Sequence, residues 1–155
     1  MKIKSTSCKN LISILSVLFV AIIGSVFVNL GKDWFNGLSK PIQWLPEIII
    51  PIVWSIIYTL AGIILFLLNK NNKNDLPTSI VFIINGLLNV LWCLIFFTLH
   101  LTFLGLVIII LNLIMGFYLI YLLYNFDKKY GYALVIYPIW LSIATALNLA
   151  LWILN

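Results

Sequence analysis

Arginine is missing from this chain of 155 residues, and only four positions are acidic: Asp33, Glu47, Asp75 and Asp127. Charged residues make up 8% of the sequence, and none lies deep in a hydrophobic stretch. An ion-coupled carrier therefore has no evident coupling residue. There is one histidine, His100, at the expected tip of a hairpin, so no Ser-His-Asp set is credible. The two cysteines, Cys8 and Cys93, sit in a basic tail and a hydrophobic run, with neither metal spacing nor a disulfide framework. GxxxxGK[ST], HExxH and CxxCH motifs are all absent. Nothing here requires a metal or cofactor.

What fills the sequence is apolar: 64% of the residues are hydrophobic, far above a soluble domain. Crossing a bilayer takes roughly 20 consecutive apolar residues. Five stretches qualify, at about 11–30, 47–68, 79–99, 101–124 and 132–153. They leave no room for a soluble domain. The expected architecture is an all-α membrane protein, a single five-transmembrane-helix bundle spanning 1–155. Continuous rather than alternating apolar runs argue against a β-barrel. Residues 11–30 are long for a signal peptide, and no small-x-small site precedes Gly31, so a retained first helix is expected.

The net charge of +5 is explained by topology, not by nucleic acid. Five spans put Lys2, Lys4, Lys9, Lys70, Lys73, Lys128 and Lys129 on one side, against Lys32 and Lys40 on the other. Lysine-rich loops stay in the cytoplasm. The N-terminus is expected inside, with the first loop and the C-terminus outside.

Polar character concentrates in Gly31 to Tyr58, which holds three of the six tryptophans and three of the five prolines. The loop 31–46 is long for a small bundle. It is not disordered in composition, with Trp34, Phe35, Leu38, Ile42, Trp44 and Leu45 apolar and Pro41 and Pro46 stiffening it. Two readings fit: an aromatic belt at the headgroups, or a lid over a site. Both use the same tryptophans.

Three helices carry an aromatic-plus-polar face. Trp54, Tyr58 and Gly62 recur every four residues; Asn85, Asn89, Trp92 and Phe96 follow at four, three and four; Trp140, Ala144 and Asn148 recur every four. An unpaired amide in hydrocarbon is costly, so these asparagines face protein or a cavity. Singly, each reads as interhelical glue. Converging with three tryptophans, they read as the wall of an apolar pocket with a few placed polar groups. Such a pocket suits a flat, hydrophobic ligand that stacks on indoles. Asn112 and Gly116 are expected to pack against a neighbour. Ser142, Ala146 and Ala150 form a small-residue stripe for close helix approach, inside the bundle or in a dimer.

Several of these residues form a combined pattern: Lys40-Pro41 followed by Pro46; Trp54-x-x-x-Tyr58-x-x-x-Gly62; Asn89-x-x-Trp92 followed by Phe96-Phe97; and Trp140 with Ala144-Thr145-x-Leu147-Asn148. In combination they resemble the translocator protein family, also called tryptophan-rich sensory proteins or peripheral-type benzodiazepine receptors, and more closely its bacterial members. The resemblance implies a multi-pass protein of the bacterial cell membrane, in contact with membrane lipid. It implies a pocket under the first loop for porphyrins (protoporphyrin IX or haem) and isoquinoline or benzodiazepine-type drugs. Trp54, Asn89, Trp92, Trp140, Ala144 and Leu147 would line it. Tyr58, Asn85 and Asn148 join them from the shared faces, and Pro41 and Trp44 from the roof. Trp54 and Trp140 would be the indoles of a light-dependent porphyrin breakdown, and the protein a homodimer. The pattern departs from the family at Asn85, where glutamine is frequent, at Leu45-Pro46 in place of paired prolines, and at Pro138, two rather than four residues before Trp140. The animal cholesterol motif has no counterpart in the ending LNLALWILN.

Three functions compete: a receptor or sensor for tetrapyrroles, a transporter of tetrapyrroles or other lipophiles, and a scaffold whose polar faces only hold helices together.

Overall fold

The computed structural model describes the backbone of residues 2–42, 46, 48–71 and 75–155, with side chains from residue 9 onward. Gln43, Trp44, Leu45 and Glu47 lie outside it, and with them the expected start of the second span at Glu47. Helices make up most of the described residues: α1 (Lys2–Leu30), α2 (Lys32–Asn36), α3 (Ile49–Lys70), α4 (Leu76–Cys93), α5 (Thr102–Phe126), α6 (Lys128–Leu134) and α7 (Ile136–Leu154). Among the described residues five segments are long and apolar enough to cross a membrane: Lys9–Leu30, Ile49–Lys70, Leu76–Thr98, Thr102–Phe126 and Lys128–Leu154. The protein is thus a multi-pass integral membrane protein.

Local chemistry sets the ends. Asp75 caps α4 by accepting from the Thr78 N–H at 2.9 Å, and Pro77 falls in the first turn, where its missing N–H costs nothing. Pro77 therefore helps to open the helix. Asp127 stops α5 in an extended conformation and caps α6 by accepting from the Lys129 N–H at 3.0 Å. A break at Val135 separates α6 from α7, so the last span is two helices.

Between α4 and α5 the helix widens into a π-helical turn, Leu94–Thr98. Leu99 N–H reaches the Leu94 carbonyl at 2.9 Å, and Leu101 N–H reaches that of Ile95 at 3.0 Å. Three successive side chains, Ile95, Phe96 and Phe97, are buried there. π turns recur at functional sites. His100 closes the hairpin with φ at 60°, the left-handed region that few non-glycine residues occupy.

α5 packs between α4 and α7, while α1 bridges α3 and α4. α3 and α7 touch only lightly. The order around the bundle is α3, α1, α4, α5, α7, with a loose seam between α7 and α3. α1 is mostly exposed on the surface of the single chain, with few buried residues. α2, the first turn of the long loop, lies on the hairpin tip. Gly31 brings the chain against the Phe97 carbonyl so closely that no side chain fits there. Phe35 is buried, 5.3 Å from the Phe97 ring and 6.3 Å from that of Phe96.

Candidate ligand-binding site

The polar faces of α4, α5 and α7 meet at the phenol of Tyr137. Asn89 Nδ2 donates to it at 2.9 Å. Its single proton has two acceptors in reach, Asn112 Oδ1 at 3.1 Å and Asn85 Oδ1 at 3.2 Å. Asn85 Nδ2 in turn donates to the carbonyls of Val81, at 2.8 Å, and Met115, at 3.3 Å. Asn112 Nδ2 has no hydrogen-bond partner among the described residues. A second polar pair lies alongside. Trp92 Nε1 donates to Asn148 Oδ1 at 3.0 Å, and Asn148 Nδ2 donates to the Thr102 carbonyl at 3.1 Å. All five amide and indole side chains (Asn85, Asn89, Trp92, Asn112, Asn148) are buried.

Aromatic rings surround these groups. Trp54 meets Tyr137 edge to face at 6.4 Å and stacks on Tyr58 at 5.5 Å. Trp92 stacks on Phe96 at 5.8 Å. Phe96 receives Trp34 of α2 edge to face at 5.6 Å, and Trp34 stacks on His100 at 4.3 Å with the rings 12° from parallel. An aromatic column thus runs from the buried Trp92 through Phe96 to the first loop. Trp34 is half-buried against the core.

The structure brings Trp54, Tyr58, Asn85 and Asn89 together around Tyr137, and Trp92 together with Asn148. Trp140 is buried in the core, with no hydrogen-bond partner for Nε1 among the described residues. One part of it lines a groove of about 310 Å³ at the α3–α7 seam, with Ile49, Val53, Ile136, Ile139 and Ile143. Ala144, Leu147 and Pro41 are half-buried, and Trp44 lies outside the described residues. Tyr58 and Gly62 share a second groove, about 340 Å³, with Ile14, Val17, Leu18 and Ala21 of α1. Its lining is almost wholly apolar. The face Trp54–Tyr58–Gly62 is therefore split, Trp54 turned to α7 and Gly62 to α1.

Tyr137 is the residue that spacing could have found. It lies three before Trp140 and so extends the stripe Trp140, Ala144, Asn148 by one turn. The docking of Trp34 on His100 had no such signal.

The model of the TspO/MBR family matches residues 13–153. The chain belongs to the TspO/MBR family. A curated relative, "Tryptophan-rich protein TspO" of Archaeoglobus fulgidus, is 33% identical over 146 residues, covering 92% of this chain and 94% of the relative. "Protein CrtK" of Rhodobacter capsulatus is 31% identical over 126 residues, covering 79% and 78%. Both matches take in most of the bundle, so this is a TspO/MBR protein along almost its whole length.

Proposed function

We propose that this TspO/MBR protein is a membrane receptor or sensor for flat hydrophobic ligands, porphyrins above all, held beneath the first loop. The observation that carries this reading is the aromatic column from Trp92 through Phe96 to Trp34, flanked by the amides of Asn89 and Asn148. Stacked rings bind a tetrapyrrole face, and amides can exchange their partners for its polar edge. Trp54, Tyr58, Asn85, Trp140, Ala144, Leu147, Pro41 and Trp44 complete the contact set. The spans contain no histidine, and His100 at the hairpin tip is taken up by Trp34. Ring faces and edges would hold the macrocycle of haem as they would that of metal-free protoporphyrin IX. Isoquinoline and benzodiazepine-type drugs share this flat, apolar chemistry.

Protoporphyrin IX should quench tryptophan fluorescence in a saturable way; no saturable quenching rejects the reading. Illumination of the bound porphyrin in air should cause its loss through Trp54 and Trp140, and Trp54→Phe with Trp140→Phe should abolish that loss. Persistence of the loss in the double variant sinks the photochemical role. The reading includes a bacterial cell membrane location, a cytoplasmic N-terminus and a homodimer. Reporter fusions at both ends and cross-linking in native membranes test the last two.

Transfer of a lipophile is the second reading. It is favoured by the groove at the α3–α7 seam, where Trp140 belongs both to the interior set and to a surface open to the bilayer. Gradient-dependent porphyrin uptake into proteoliposomes would select it.

A further inference from the structure

The first loop is tied down at a second place, just beyond the end of α2. Ser39 N–H donates to Asn155 Oδ1 at 2.9 Å, and Asn155 Nδ2 donates to the Ser39 carbonyl at 3.1 Å. The same nitrogen donates to the Leu151 carbonyl at 2.8 Å, which holds the amide against the end of its own helix. Both backbone polar groups of one loop residue are thus read by one side chain, 116 positions away. Only an amide carries the donor and the acceptor that this fork needs.

Neighbouring contacts make Ser39 the point where the loop is held from two sides. Leu38 packs against the core, and Lys40 Nζ lies 4.5 Å from the centre of the Phe35 ring. These seat the chain against α2, while Asn155 ties it to α7. The two attachments differ in character. α2 is anchored by the buried Phe35 and by the aromatic column, whereas Ser39 and Asn155 are both exposed. Water competes for an exposed pair, so this is the tie that opens first.

We infer that Asn155 is the latch of the first loop, a positioning residue that sets how fast a ligand passes beneath the loop without touching that ligand. The inference rests on the reading that a flat lipophile binds under the loop. A latch that acts equally on the empty and the occupied protein slows entry and exit alike. It therefore changes rates and leaves affinity alone.

The test is stopped-flow quenching of tryptophan fluorescence by protoporphyrin IX in the full-length protein. Asn155→Ala should raise both the association and the dissociation rate by about tenfold, with Kd held within about twofold. Asn155→Gln keeps the amide one methylene further out and should restore most of the slowing. Unchanged rates in the alanine variant overturn the latch. A fall in affinity without faster entry also overturns it, because that is the mark of a general support role. So does a glutamine variant as fast as alanine. Hydrogen exchange at the Ser39 amide reads the same tie without ligand: it should be slow in the parent protein and fast in Asn155→Ala, and equal exchange overturns the latch. If the parent protein shows no quenching by protoporphyrin, the proposed function fails, and Ser39 exchange alone decides the latch.

Discussion

Asn89 of α4 donates to the phenol oxygen of Tyr137 on α7 at 2.9 Å, and this contact joins the two halves of the polar interior. The phenol then hands its proton to Asn85 or Asn112, so one hydroxyl serves three amides. Tyr137→Phe keeps the ring that meets Trp54 and removes only this hub. All three buried amides lose a partner. Thermal unfolding in detergent should show a loss of about 1–2 kcal/mol, the upper range for hydrogen bonds between membrane helices. An unchanged melting temperature would mean that the amides repair their bonding elsewhere.

Asn148 joins Trp92 to the first turn of α5. Asn148→Leu leaves the Trp92 indole N–H without an acceptor and the Thr102 carbonyl without its side-chain donor. A destabilisation of about 1 kcal/mol is expected, together with weaker porphyrin binding through a less firmly held Trp92. Asn112→Leu provides the control. It too removes a buried amide, but one with no indole partner, so it should affect stability more than ligand affinity. Equal effects on affinity from both variants would count against Asn148 as a site residue.

Two glycines predict opposite outcomes. At Gly31 a Cβ runs into the Phe97 carbonyl, which belongs to the backbone of the π turn and cannot swing aside. Gly31→Ala should cost about 3 kcal/mol, the upper end for overpacking, and should free Trp34 from its stack. The accompanying red shift in tryptophan emission makes the change measurable. At Gly62 nothing lies within 4 Å of the added Cβ. Gly62→Ala should be neutral or stabilising by up to about 1 kcal/mol, through helix propensity. A destabilised Gly62→Ala would show that the α1–α3 groove closes further than it does here.

His100 sets two small effects against each other. Its backbone has φ at 60°, a conformation that costs most residues about 1–2 kcal/mol. Its ring gains from stacking on Trp34, by about 0.5–1.5 kcal/mol. Asn tolerates the backbone but has no ring, so His100→Asn isolates the stack. It should leave global stability almost unchanged while raising protease cleavage within residues 32–42. If cleavage does not rise, Phe35 alone holds α2 in place.

Much of this was legible in the residues, for different reasons in different places. Span number followed from apolar length, because a bilayer imposes one scale on every helix. Three faces of the interior followed from residues recurring at three and four. Which face met which neighbour did not follow. The stripe Trp54–Tyr58–Gly62 divides between α7 and α1, because a helix packed between two partners shows each only part of a stripe. Tyr137 extends the Trp140 stripe by one turn, but only the meeting of α4, α5 and α7 makes it a hub. The π turn has no periodic signature, and the pairing of Asn155 with Ser39 links positions too far apart for any local pattern. The contact roles assigned to Trp140, Ala144, Leu147 and Pro41 rest on the family resemblance.

The polar side chains buried in this bundle, among the described residues, are all uncharged: amides, indoles, phenols and the Thr78 hydroxyl. Between 10 and 31, 48 and 69, 76 and 126, and 130 and 155 the sequence contains no charged side chain. A membrane potential does work only on charge that moves through it, about 2.3 kcal/mol per elementary charge for each 100 mV. Rearrangements of the helices or of their amide partners carry no such charge. Opening, closing and ligand exchange should therefore proceed at the same rate in energised and de-energised membranes, leaving the ligand's own charge as the one handle the voltage has.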